Sequence, residues 1–217
     1  GFSVVTAGWT PYDTEHHTGI DEQVGSDLQY DLGDPHGPGR LFEAAEARAG
    51  VVSALIVAHA FDAGEGLFAV SADSIDRHLA VNVRGSLLLM RAFAERVRDS
   101  GASGRIVIFS SGPPQNGSIA YGASKGALEW IAYSAAAELG PWGITVNAVN
   151  PGPNQTGWMS PEVEHEAAAR TPLGRAGQPR DAAALVSFLL STDGAFINGQ
   201  MITSDGGHGI AAGSWPR

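Results

Sequence analysis

Short apolar runs rich in β-branched residues recur along the chain, and most are followed by a longer stretch with helical spacing. This alternation constrains the fold more than any other feature. A chain that repeats strand then helix packs as a parallel sheet with helices on both faces. Strands are read at 2–7 (FSVVTA), 28–32 (LQYDL), 53–60 (SALIVAHA), 105–109 (RIVIF), 143–150 (GITVNAVN) and 199–205 (GQMITSD). The run at 53–60 is continuously apolar, as a strand covered on both faces is. Helices are read at 39–50, which ends on Gly50, at 72–99, at 123–139, and at 179–191, which opens with Pro179 and Asp181. In the second of these, Ile75, Leu79, Val83, Leu87, Met90, Ala94 and Val97 recur at helical spacing. Residues 11–27, with His16 and His17, read as a polar loop, and 157–178 as a lid-like segment full of turn residues. A length of 217 residues suits a single domain, 1–217, with a sizeable core.

Composition narrows the function class. A net charge of −10 disfavours nucleic acid and anionic membrane as partners. The absence of Cys excludes disulfides and thiolate metal sites and fits a cytoplasmic location. No apolar run approaches the roughly 18 residues a membrane span needs. No metal site is expected, since His59 has no second ligand at suitable spacing.

In sheets of this kind ligands bind beyond the carboxyl ends of the strands. His59 and Ala60, Ser110 and Ser111, and Asn150 to Thr156 occupy such ends, and Tyr121 and Lys125 open the helix after one of them. Residues four apart share a helix face, so both side chains can enter one cleft. A tyrosine with its ordinary pKa of about 10 exchanges protons poorly at neutral pH. A nearby ammonium favours the phenolate and makes it a usable general acid or base. Tyr-x-x-x-Lys alone also describes many solvated helix faces.

Several motifs in order resemble the short-chain dehydrogenase/reductase family over nearly the whole chain, from Gly1 to about Gly207. They are Asp31-Leu32, LAVNVRGSLLL (79–89), GRIVIFSSG (104–112), YGASKGAL (121–128), GITVNAVNPGPNQTGWM (143–159), PLGRAGQPRD (172–181) and GQMITSDGG (199–207). The resemblance implies a Rossmann-like doubly wound parallel sheet in a single NAD(P)-binding domain. It implies an oxidoreductase that moves hydride between NAD(P)(H) and a ketone or secondary alcohol. Tyr121 would then be the general acid/base, and Lys125 would lower its pKa and bond the nicotinamide ribose. Ser111 would hydrogen-bond the substrate oxygen, with Ser110 as the alternative, and Asn82 would sit in a kinked helix and hold a relay water. The gap from Ser111 to Tyr121 is shorter than the family's usual spacing.

Cofactor contacts implied by the resemblance are Asp31 and Leu32 at adenine, Gly152, Asn154 and Thr156 at the carboxamide, and Tyr121 and Lys125 at the ribose. The family's Asn-Asn-Ala-Gly reads Val-Ala-His-Ala here, so His59 and Ala60 are expected to act through their backbone. The first strand ends at Gly8 and Trp9 with neither an acid nor an Arg in that turn, so NAD and NADP both stay open, with a lean to NADP. The family's opening strand and glycine-rich loop have no counterpart, and neither GPGR (37–40) nor DGGHG (205–209) replaces them. Without that strand two buried strands would each lose a neighbour, at about 1–3 kcal/mol per unsatisfied backbone group. A βα unit of about 25 further residues ahead of Gly1 is therefore expected. A homo-oligomer, tetramer or dimer, is implied, with the helices around Asn82 and after Lys125 at one interface. Two other classes compete: a non-redox relative such as a halohydrin dehalogenase-like lyase, which has arginine in place of Lys125, and a nucleotide-blind binding protein on the same fold.

Overall fold

A computed structural model describes residues 3–9, 26–112 and 117–210. The strands are β1 (Ala7–Gly8), β2 (Leu28–Gln29), β3 (Ala54–Val57), β4 (Gly104–Phe109), β5 (Ile144–Asn150) and β6 (Met201–Thr203). The helices are α1 (Gly37–Ala49), α2 (Ala72–His78), α3 (Ser86–Ser100), α4 (Ile119–Leu139), α5 (Pro161–Arg170) and α6 (Pro179–Leu190). A widened π-helical turn, Leu79–Gly85, joins α2 to α3 in one continuous helix.

Every described strand pair is parallel. The order is β3-β4-β5-β6 in one sheet, with β1-β2 as a separate pair. β3 bonds only to β4, and Ile56, expected to be covered on both faces, is 46% exposed.

Helices cover both faces, as the alternation predicts. Ile106, Ile108, Val146 and Ala148 pack with Phe42 of α1, Phe93 of α3 and Leu128 of α4. The alternate residues Val107 and Val149 pack with Val186 and Leu189 of α6. All seven residues of β5 are buried, which makes it the centre of the core. This two-sided burial explains why these strands are apolar without interruption.

Several expected boundaries are corrected. The strand read at 2–7 is confined to Ala7–Gly8, and that at 28–32 to Leu28–Gln29, because each has only the other to bond. The strand at 53–60 stops at Val57, paired with Ile108, and beyond it the His59 and Phe109 carbonyls accept from Lys125 instead. The run at 199–205 pairs only over Met201–Thr203. The helix at 123–139 begins four residues earlier, which puts Tyr121 in its first turn. The segment 157–178 is not all turn: Ser160 caps α5 by accepting from the Val163 N–H, with Pro161 in its first position. The apolar face of 72–99 divides, with Met90 in the core and Leu87 44% exposed. The loop at 11–27, with His16 and His17, lies up to residue 25 outside the described residues.

Candidate active site

The carboxyl ends of β3 and β4 meet over the first turns of α4. Lys125 is buried there, and its ammonium donates to the Phe109 carbonyl at 2.9 Å and the His59 carbonyl at 3.3 Å. Burial pushes its pKa down to about 8. The ammonium lies 5.9 Å from the centre of the Tyr121 ring. Residues four apart thus lie on one face of α4.

Asn82 occupies the widened turn and is fully buried. Its Oδ1 accepts from the Phe61 N–H at 2.7 Å, and its Nδ2 donates to the Phe61 carbonyl at 2.9 Å and to Ser124 Oγ at 2.8 Å. Ser124 Oγ in turn donates to the Tyr121 carbonyl at 2.7 Å. The side chain therefore ties the loop after β3 to α4. The Asn82 carbonyl accepts from Ser86 Oγ at 2.6 Å.

The two serines after β4 face different surroundings. Ser110 is buried, and its hydroxyl donates to Glu129 at 2.9 Å and to the Lys125 carbonyl at 3.2 Å. Ser111 is half-buried and, among the described residues, donates to the neighbouring Gly112 carbonyl at 3.2 Å. His59 places its Nε2 3.0 Å from the Val81 carbonyl, so as the proton donor it clips the end of β3 to the widened turn. Burial, with the charge of Lys125 nearby, pushes its pKa down to about 4, so its ring is neutral at pH 7. Ala60 follows it, half-buried. Among the described residues no cluster of His, Asp or Glu could hold a metal ion.

The other expected contact residues follow β5 and β2. After β5, Gly152 adopts φ +63° and comes so close to Asp205 that no side chain could be added. Asn154 pairs with Gly177 and donates to the Pro151 carbonyl at 2.7 Å, while its Oδ1 is buried without a partner. Thr156 is exposed. Asp31 accepts from the Gly33 N–H at 2.7 Å, and Leu32 packs partly into the core beside Gly85. Gly37 is tightly packed against the Asp31 carbonyl, and Gly206 and Gly207 against Thr171 and Pro172, whereas Gly39 faces open space.

Sequence reasoning missed three neighbours. His78 is buried, with Nδ1 2.7 Å from the Ser74 carbonyl and its ring edge-on to Phe61. Asp62 accepts from Ser118 Oγ at 3.0 Å and so holds the entry to α4. Arg77 reaches from α2 to the end of β1, over the Trp9 ring. Of these only His78 left a trace in the sequence, one turn before Asn82.

A family model described as Enoyl-(Acyl carrier protein) reductase matches residues 1–209. An uncharacterized oxidoreductase, YjdA, of Bacillus subtilis (strain 168) is 41% identical over 184 residues, which are 83% of this chain and 73% of that protein. Across the curated relatives the chain spans from about half of the partner's length, 53%, to that 73%. Among solved structures, a short-chain dehydrogenase from Burkholderia cenocepacia J2315 in complex with NADP superposes with a TM-score of 0.76 at 32% identity, covering 83% of this chain and 75% of the other. A 3-ketoacyl-(acyl-carrier-protein) reductase from Brucella melitensis complexed with NADH superposes with a TM-score of 0.75 at 27% identity, covering 84% and 78%. With the model match spanning almost the whole chain and the sheet order and helix placement agreeing with it, the chain belongs to the short-chain dehydrogenase/reductase family of oxidoreductases.

Proposed function

We propose that the chain catalyses reversible reduction of a ketone to a secondary alcohol with NADP or NAD, with Tyr121 as the general acid/base. The observation that carries this reading is the buried Lys125 ammonium 5.9 Å from the Tyr121 ring, at the carboxyl ends of two parallel strands. A cation there favours the phenolate, which brings the tyrosine's pKa toward the working pH. In reduction Tyr121 gives its proton to the substrate oxygen, and in oxidation it takes one. Ser111 hydrogen-bonds that oxygen as charge develops. Ser110 is the weaker candidate, since its hydroxyl is committed to Glu129. Asn82 holds the loop after β3 on α4, and its carbonyl in the widened turn orders a relay water toward Lys125.

The residues present fit a nicotinamide nucleotide. The orphaned, buried Oδ1 of Asn154 and the close approach at Gly152 form a cradle of backbone and amide groups after β5. Gly152, Asn154 and Thr156 would hold the carboxamide, Lys125 and Tyr121 the ribose, and Asp31, Leu32 and the backbone of His59 and Ala60 the adenosine. When bound, the nicotinamide supplies or accepts the hydride. The similar structures with NADP and with NADH support the cofactor class. Residues 157–178, with α5, would cover the substrate. Association through the outer faces of the helices around Asn82 and after Lys125 is supported by exposed Leu79, Leu87, Trp130 and Tyr133. The testing experiment is Tyr121→Phe. Turnover of ketones should vanish while NADPH and NADH affinities stay within a few fold, measured by nucleotide fluorescence. Turnover near the wild-type rate would remove Tyr121 from the mechanism.

A further inference from the structure

Dinucleotide folds of this kind distinguish their cofactors at the end of one strand, where an acid bonds the ribose hydroxyls of NAD or an Arg receives the 2′-phosphate of NADP. In this chain the corresponding strand, β1, ends at Gly8 and Trp9, which carry no charge. The tertiary structure brings a cation to that spot from a distant element. The Arg77 guanidinium, from α2, lies 5.1 Å from the centre of the Trp9 ring and 5.8 Å from that of Phe61. Its Nη2 is 3.6 Å from Asp31 Oδ2. Arg84, seven residues further on in the widened turn, donates to the Gly33 carbonyl.

We propose that Arg77 sets the cofactor preference by receiving the 2′-phosphate of NADP at the end of β1; the inference rests on the oxidoreductase reading above. Three features support it. A guanidinium presents planar, paired donors that match a phosphate, which a 2′-hydroxyl cannot use as fully. Cation–π contact with Trp9 and Phe61 holds the guanidinium near the end of β1, so less side-chain freedom is left to lose on binding. The Asp31 contact is too long for a hydrogen bond, and the other oxygen of that carboxylate is taken by the Gly33 N–H, so the guanidinium keeps its donors. Asp73 and Asp76 share the outer groove with Arg77 and Arg84, but both are exposed, where water and salt screen them. A packing role alone would also place Arg77 on Trp9, and it would not discriminate between phosphate positions.

The test needs no turnover. Calorimetry compares adenosine 2′-monophosphate with adenosine 5′-monophosphate, alongside NADPH and NADH. The 2′-isomer should bind about tenfold tighter or better, the scale of one charge-assisted pair, with the steeper salt dependence. Arg77→Met should bring the two isomers to equal affinity, and Arg77→Lys should keep part of the preference. Where Arg77→Met does not fold, Arg77→Lys decides, because it retains the charge beside Asp31. It must weaken the 2′-isomer several-fold and leave the 5′-isomer unchanged, and an equal change in both overturns the assignment. Equal binding of the isomers by the wild type, or a preference that survives Arg77→Met, overturns the role of Arg77 and leaves the oxidoreductase reading intact. A protein that binds neither isomer and neither dinucleotide overturns that reading instead.

Discussion

Lys125 combines two demands that work against each other. The role proposed for it needs its ammonium near Tyr121, and the ammonium sits 5.9 Å from that ring at the buried junction of β3, β4 and α4. Burial lowers its pKa from an ordinary 10.5 to about 8. Below pH 8 both folded and unfolded chains hold the proton, and the folded state bears the full penalty of a desolvated charge. Between 8 and 10.5 the unfolded chain holds a proton that the folded chain has released, so stability rises with pH. The rise amounts to about 3 kcal/mol at 1.36 kcal/mol per pKa unit. Urea unfolding of wild type and Lys125→Met across pH 7–10.5 checks it: the stability difference should move toward wild type by about that amount, and a constant difference would contradict the burial of a charged Lys125. Tyr121 and Lys125 were legible in the sequence because a four-residue spacing on a helix is a local fact. The carbonyls that accept from its ammonium were not, since Phe109 and His59 lie at the ends of strands remote in sequence.

At the scale of elements, the helix from Ala72 to Ser100 shows what spacing can and cannot give. Its apolar period predicts one helix, and one helix is found, but the period does not reveal the widened turn at Leu79–Gly85. Asn82 there is read from resemblance as a kink residue. The structure adds that its side chain satisfies both backbone groups of Phe61. Asn82→Ala removes the side-chain partner of both those half-buried groups, and should destabilise the fold by about 3 kcal/mol. Denaturant unfolding reads this directly, and a loss below about 1 kcal/mol would mean that the loop finds other partners. His59 makes the complementary clip, to Val81. It replaces the family's usual residue with one that still bridges the end of β3 to the same turn. Helix α5 was hidden in the segment 157–178 because a ten-residue helix flanked by Gly and Pro gives too short a period to separate from turns.

For the whole molecule, the decisive fact is that the strands form a pair and a sheet of four rather than one sheet. β4 and β5 are bonded along most of their length and buried on both faces, whereas β1 and β2 pair over two residues each. Hydrogen exchange should follow this division. The amides of β4 and β5 should exchange only on global unfolding, and those of Leu28 and Tyr30, bonded to Thr6 and Gly8, should exchange orders of magnitude faster. Equal protection of the two groups would mean that the pair and the sheet open as one unit. The sequence by itself determined the order of strands and helices, the parallel sheet, and the tyrosine and lysine on one helix face. These rest on short-range periodicity and on motifs read in order along the chain. Only the tertiary structure decided where strands stop, which serine hydroxyl is committed, how deeply Lys125 is buried, and that Arg77 reaches Trp9. Each of those depends on groups far apart in sequence, and no local pattern encodes which distant neighbour a side chain will meet.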